Sequence, residues 1–276
     1  MTTTAENPTT AATSVNGVLE LLSALVACDS TTPTGEERTS AQVLAGYLDA
    51  AGFAVDIDEL GPGRVNLLAR RRFAEHGPKL MVNSHLDVVP AGPGWTSEPF
   101  EPTVRDGKLY GRGAADAKGA LAAMACAAAE LVAAEGGAPL IGELVYTAVS
   151  DEEGGSTGAR HLLSELAQAD DLPDAVIIGE PTGMRPLTAH KGSIRPVIEV
   201  VGVAAHAATP KQGVNAVNAA GAVLAALDGY SQGLEAIRHP LLGSPTCTPV
   251  LIGGGEAPNA VPEPLPHHPR PTHAAR

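Results

Sequence analysis

Five imidazole and carboxylate side chains stand directly after short apolar runs. His85 follows Leu80-Met81-Val82-Asn83-Ser84, Asp151-Glu152-Glu153 follows the run from Leu144 to Ser150, and Glu180 follows Val176-Ile177-Ile178-Gly179. Such runs, bounded by Gly, Pro and Asp, read as buried strands, and open α/β sheets carry their chemistry just beyond the carboxyl ends of strands. A further carboxylate, Asp116, lies in Gly111-Arg112-Gly113-Ala114-Ala115-Asp116-Ala117-Lys118-Gly119, a Gly-rich loop that opens a helix and permits close backbone approach. Asp116 can alternatively be a plain N-cap of that helix. The glycine spacing is not G-x-G-x-x-G, which argues against a dinucleotide site.

His85 and Asp87 alternate along an extended segment, so Asp87 can face the imidazole and hold it. Glu152 and Glu153 repel each other unless a cation is present or one is protonated. Such a pair can divide the labour, one ligating a metal and the other acting as general base on its water; a solvated acidic turn is the alternative. Together His85, Asp116, Glu153 and Glu180 offer nitrogen and carboxylate ligands without thiolates, a set suited to Zn²⁺ or to Co²⁺ and Mn²⁺. A shared carboxylate would hold two ions about 3.5–4 Å apart, the arrangement that amide hydrolysis uses.

The elements that must position these groups follow from periodicity. Apolar residues at Val15, Val18, Leu19, Leu22, Leu25 and Val26 predict an amphipathic helix over 15–27. A second helix is expected over 36–51, stopped by Gly52, then strands near 53–57 and 64–70 and the strand before His85. The loop 90–102 holds Trp95, the single tryptophan, as an active-site wall or a packed surface loop. Helices over 118–135 and 156–169 alternate with strands over 141–149 and 174–179, which predicts a three-layer α/β catalytic domain over 15–190 with a mixed, mainly parallel sheet. From residue 191 to 262 the pattern changes to a smaller, incomplete α+β unit, with strands expected over 194–203 and 246–252 and a helix over 215–227. The polar residues 1–14 and the Pro- and His-rich residues 263–276 are expected to be disordered.

Composition narrows the function. With 18 Lys plus Arg against 31 Asp plus Glu, the formal charge of −13 disfavours nucleic acid and anionic membranes as partners. Aromatics are only 3%, so the cores must be built from Ala, Val, Leu and Ile. Cys28, Cys126 and Cys247 form no C-x-x-C pair, and neither a disulfide framework nor a thiolate zinc site is indicated. There is no basic-then-apolar leader and no run of 18 apolar residues, so a cytoplasmic location is expected.

The stretches S-H-L-D-V-V-P (84–90), D-G-K-L-Y-G-R-G-A-A-D-A-K-G (106–119), D-E-E-G (151–154) and G-E-P-T (179–182), in this order, resemble the dinuclear zinc amidohydrolases and exopeptidases. That family includes acetylornithine deacetylase, succinyl-diaminopimelate desuccinylase, aminoacylase and glutamate carboxypeptidase, and the similarity covers roughly residues 15 to 262. The resemblance implies that His85 and Glu180 bind one metal, Glu153 binds the other and Asp116 bridges them. Glu152 would be the general base and acid, and Asp87 would orient His85. Lys191-Gly192 and Gly202-Val203-Ala204-Ala205-His206 resemble the start of the family's ferredoxin-like lid and dimerisation domain, in which His206 would donate across a homodimer to the oxyanion. A small N-acyl amino acid or short peptide is the implied substrate.

Family members also supply a final His ligand after the lid, and the chain is expected to lack it and to be truncated. His267, His268 and His273 come too early and are not taken as ligands. Asn259-Ala260-Val261-Pro262 still matches the family's turn, but the strand expected next is missing. A one-base shift from the codon of Pro264 permits Arg-Cys-Arg-Ile-Thr-Leu-Asp-Arg-Arg, so the tail is expected to be an out-of-frame translation. A weak second metal site and little activity follow as expectations, and the competing reading is a noncatalytic, metal-binding or dimerising remnant.

Overall fold

The computed structural model describes residues 8–33, 36–134, 140–255 and 257–262; the tail from 263, with its three histidines, lies outside the described residues. The chain divides into two compact units, Met1–Met184 and Arg185–Arg276, six residues earlier than the change of pattern at 191 suggests.

The first unit is built on a five-stranded sheet in the order β1-β2-β6-β3-β7. The strands are β1 (Ala54–Gly61), β2 (Arg64–Arg72), β3 (Lys79–His85), β6 (Glu143–Val149) and β7 (Ala175–Ile178); β4 (Thr103–Arg105) and β5 (Lys108–Tyr110) form a separate hairpin. β2 pairs antiparallel with β1 and β6, while β3 pairs parallel with β6 and β7. Four strands therefore share one direction and β2 alone opposes it. The sheet is mixed, as expected for an α/β fold, and β3, β6 and β7 end on the same edge.

Alternation along the strands makes the layers. Val65, Leu67, Ala69, Val82, Leu144, Tyr146 and Ala148 face a core shared with helices α1 (Pro8–Val26), α2 (Glu37–Ala50) and α3 (Lys118–Ala133). On the other face Leu68, Met81 and Val145 meet Leu162 and Leu166 of α4 (Thr157–Gln168). The only rings among the buried residues of the larger core are Phe53 and Tyr146, and the Tyr146 hydroxyl donates to the Leu121 carbonyl at 2.9 Å. α1 begins at Pro8, seven residues before the expected start, so residues 8–14 correct the expectation of disorder there. Pro suits the first helical turn, where its missing N–H costs nothing. No described helix is long and apolar enough to cross a membrane.

The second unit contains a two-residue antiparallel pair, β8 (Ala205–His206) with β9 (Ala260–Val261), a short 3₁₀ turn at Pro210–Gln212, and α5 (Ala216–Leu234). Asn215 caps α5 by accepting from the Asn218 N–H at 3.1 Å. The helix runs seven residues past the expected Leu227. The strands expected over 194–203 and 246–252 do not form; only the single bridge between Val203 and Val214 is made. A strand exists through its ladder, and neither segment is paired into a sheet with a described strand. Val197 and Leu251 are consequently 94% exposed.

Candidate metal centre

His85 ends β3, level with Val149 at the end of β6. Asn83 pairs with Ile178, so two residues further on Glu180 comes level with His85. The backbone holds that register past the strand: the Gly179 N–H donates to the Asn83 carbonyl, and the Ser84 hydroxyl donates to the Gly179 carbonyl, both at 2.8 Å. The parallel ladder thus delivers an imidazole and a carboxylate from neighbouring strands to one point.

Asp116 arrives from the loop before α3. Gly113 has φ +78° and an added Cβ there would meet Val88 at 2.5 Å, so the tight path requires glycine. The Lys118 N–H closes the loop onto the Gly113 carbonyl at 2.9 Å, and the buried Lys118 ammonium donates to the carbonyls of Leu25 and Cys28 at the end of α1. Burial lowers the Lys118 pKa to about 8. The helix has no side-chain cap, which sets aside the N-cap role for Asp116. Its carboxylate instead lies 3.2 Å from His85 Nε2, and Glu180 Oε1 lies 3.9 Å from the same nitrogen.

His85 is only 1% exposed. Its Nδ1 is 2.9 Å from the Asp87 main-chain carbonyl and 3.6 Å from the Asp87 carboxylate, so the hydrogen bond expected from the Asp87 side chain goes to its backbone instead. Donation from Nδ1 leaves Nε2 as the ligand nitrogen, facing Asp116 and Glu180. Burial pulls the imidazole pKa down, yet the Asp87 side chain and Glu180 outweigh it and hold it at about 9.

The Asp87 carboxylate, fully buried, accepts the backbone N–H groups of Glu152 at 2.9 Å and of Glu153 at 3.1 Å. Ligand atoms of His85, Asp116 and Glu180 lie within 4.8 Å of one another, and so do those of His85, Glu152 and Glu153. Burial raises the Glu153 pKa, with Asp116 adding to it, and burial raises that of Glu180 against the pull of His85. A group of carboxylates converging on one imidazole is the donor set that a divalent cation neutralises, and the residues fit such an ion.

His206 belongs to the second unit. Its Nδ1 accepts the Ala208 N–H at 3.1 Å, so the neutral ring carries its proton on Nε2. Trp95 packs as a loop residue, its indole N–H donating to the Ala91 carbonyl at 2.7 Å and its ring lying under the Arg112 guanidinium. Glu37 and Arg64, which no local pattern marked, reach the turn after β6. Glu37 Oε1 lies 3.2 Å from the Asp151 nitrogen and 2.8 Å from Arg64 Nη1.

Known proteins share this arrangement of segments. A succinyl-diaminopimelate desuccinylase from Xanthomonas oryzae is 39% identical over 224 residues, 77% of this chain and 57% of that protein. An acetylornithine deacetylase from Vibrio vulnificus is 35% identical over 238 residues, 84% of this chain and 61% of that protein. The chain therefore spans about three fifths of the length of these relatives. A tripeptidase from Staphylococcus aureus has a similar fold, with a TM-score of 0.53 at 23% identity over 91% of this chain and 63% of that one. Residues 81–263, which carry His85, Asp116, Glu152, Glu153 and Glu180, match Peptidase family M20/M25/M40, and the chain belongs to that family of metal-dependent hydrolases.

Proposed function

We propose that this chain hydrolyses the amide bond of small N-acyl amino acids or short peptides, with divalent ions held at the carboxyl edge of its sheet. The convergence of His85, Asp116 and Glu180 within 4.8 Å, beside Glu152 and Glu153, carries the proposal. His85 and Glu180 would hold one ion and Glu153 a second, with Asp116 shared between them. Bound Zn²⁺, Co²⁺ or Mn²⁺ would polarise the scissile carbonyl and acidify water enough for attack near neutral pH.

The protein's own groups then have distinct tasks. Glu152 takes a proton from the attacking water as the new C–O bond forms, and returns it to the amine nitrogen as the C–N bond breaks. Asp87 would hold the imidazole through its main-chain carbonyl and the Glu152-Glu153 turn through its carboxylate, tying both to one residue. His206, with its donor on Nε2, would serve the oxyanion from the partner protomer of a homodimer. The N-acyl substrate class is supported by the desuccinylase and deacetylase names of the relatives. A cytoplasmic setting is part of the proposal.

Both possible ligand groups among the described residues use the same imidazole, His85. The second ion would therefore be held weakly and turnover by this chain would be slow. That shortage also favours the second reading, a noncatalytic metal-binding remnant. The test is to load the protein with Zn²⁺ or Co²⁺ and follow acid release from N-succinyl-diaminopimelate and N-acetylornithine, with Glu152→Gln as control. Slow release that depends on Glu152 is expected. Metal uptake with no release above the Glu152→Gln background would favour the remnant.

A further inference from the structure

Asp151, Glu152 and Glu153 present three consecutive backbone N–H groups, and each donates to a carboxylate from a distant part of the chain. The Glu152 and Glu153 N–H groups donate to the two oxygens of Asp87, and the Asp151 N–H donates to Glu37 at the start of α2. Asp151 itself has φ +59°, a left-handed conformation that Asp tolerates better than most non-glycine residues and that contacts can fix in place. Those contacts are explicit. Arg64 Nη1 is 3.0 Å from Asp151 Oδ1 and 2.8 Å from Glu37 Oε1, so one guanidinium joins side chain and backbone of the same residue. The other Asp151 oxygen accepts from the Thr157 hydroxyl at 2.7 Å, and Arg64 Nη2 donates to the Thr32 hydroxyl at 3.2 Å. Glu37 and Asp151 are 2% and 5% exposed.

We propose that Glu37 and Arg64 are positioning residues: through Asp151 they lock the turn that aims Glu152 and Glu153. The inference rests on the metal-centre reading for its functional meaning. Arg64 is suited to the task because a planar guanidinium meets two carboxylates in fixed directions, which an ammonium cannot do. Its removal leaves two buried carboxylates facing each other and frees the turn to relax from the left-handed conformation. The Glu153 carboxylate then samples orientations away from His85, and an ion bound there is lost more readily.

Two readouts on the full chain test this, one of them without metal. Amide-resolved hydrogen exchange on metal-free protein should show the N–H groups of residues 151–153 exchanging at least about tenfold faster in Arg64→Met than in the wild type, with those of β3 and β6 unchanged. Arg64→Lys should recover part of the protection. Should Arg64→Met not fold, Thr157→Val, which removes the partner of the second Asp151 oxygen, gives the same readout. Cobalt titration followed by visible absorption should show affinity falling about 10- to 100-fold in the same variant, the range typical when a ligand's supporting contact is lost. Unchanged exchange in the turn would overturn the bracket. A wild-type protein that takes up no cobalt would overturn the metal reading instead, so the two failures are distinct.

Discussion

Glu37 is 2% exposed, and its Oε2 is buried with no hydrogen-bond partner among the described residues. Burial raises its pKa from 4.5 to about 7 against the opposing pull of Arg64. Between those pH values the folded chain keeps a proton that the unfolded chain has released. Stability therefore falls as pH rises from 4.5 to 7, by up to about 3 kcal/mol, and levels off above that window. Glu37→Gln should remove this slope, which denaturation midpoints taken across the window would show; an unchanged slope would place the titration elsewhere. Glu152 is exposed, and as the proposed base rather than a ligand it would not hold the ion, so Glu152→Gln should leave cobalt affinity near that of the wild type while lowering turnover about 10²- to 10⁴-fold. Loss of metal binding in parallel with turnover would make Glu152 a ligand rather than a base. His85, Asp116, Glu152, Glu153 and Glu180 were legible because each stands at the end of a β-rich run or in a Gly-rich loop. Glu37 and Arg64 were not, because they stand 114 and 87 positions before Asp151, at an ordinary helix start and strand start.

The site exists because β3, β6 and β7 run parallel and stop together, and α4 must then leave β6 at close quarters. Gly158 is where that approach is tightest. An added Cβ would meet Asn66 Oδ1 and the Ser150 nitrogen at 2.5 Å, and the Asn66 side chain already spans both segments, donating to the Gly158 carbonyl and accepting the Ser150 N–H. Gly158→Ala should cost about 1–3 kcal/mol in chemical denaturation, as overpacking of a tight contact does; a neutral effect would mean that α4 is free to shift. Most element types over 15–179 were legible from periodicity, with β-branched runs giving strands and 3.6-residue spacing giving helices, but the short β4–β5 hairpin was not expected. Their side-by-side order was not, since pairing joins segments such as β2 and β6 that share no local pattern. The expected strands at 194–203 and 246–252 failed for the complementary reason: β-branched composition favours a pleated, half-buried surface but cannot supply the neighbour that makes one.

At the scale of the whole chain, order is concentrated in the first unit. Its sheet is buried through β6 at every position, whereas edge strand β7 keeps Val176, Ile177 and Ile178 between 49% and 59% exposed. The second unit, taken by itself, exposes Ile194, Val197 and Leu251. The central claim of the proposed function is that the carboxyl edge of this sheet is a divalent metal centre built on His85, where candidate ligand atoms lie within 4.8 Å of one another. The direct measurement is metal content and Zn²⁺ titration of the purified, dialysed chain beside His85→Ala, with circular dichroism to verify that the variant is folded. The account predicts one tightly held Zn²⁺ per chain, a second only at higher concentration, and loss of the tight site in folded His85→Ala. A wild-type chain that retains no Zn²⁺, or a His85→Ala chain that binds it equally well, would contradict it.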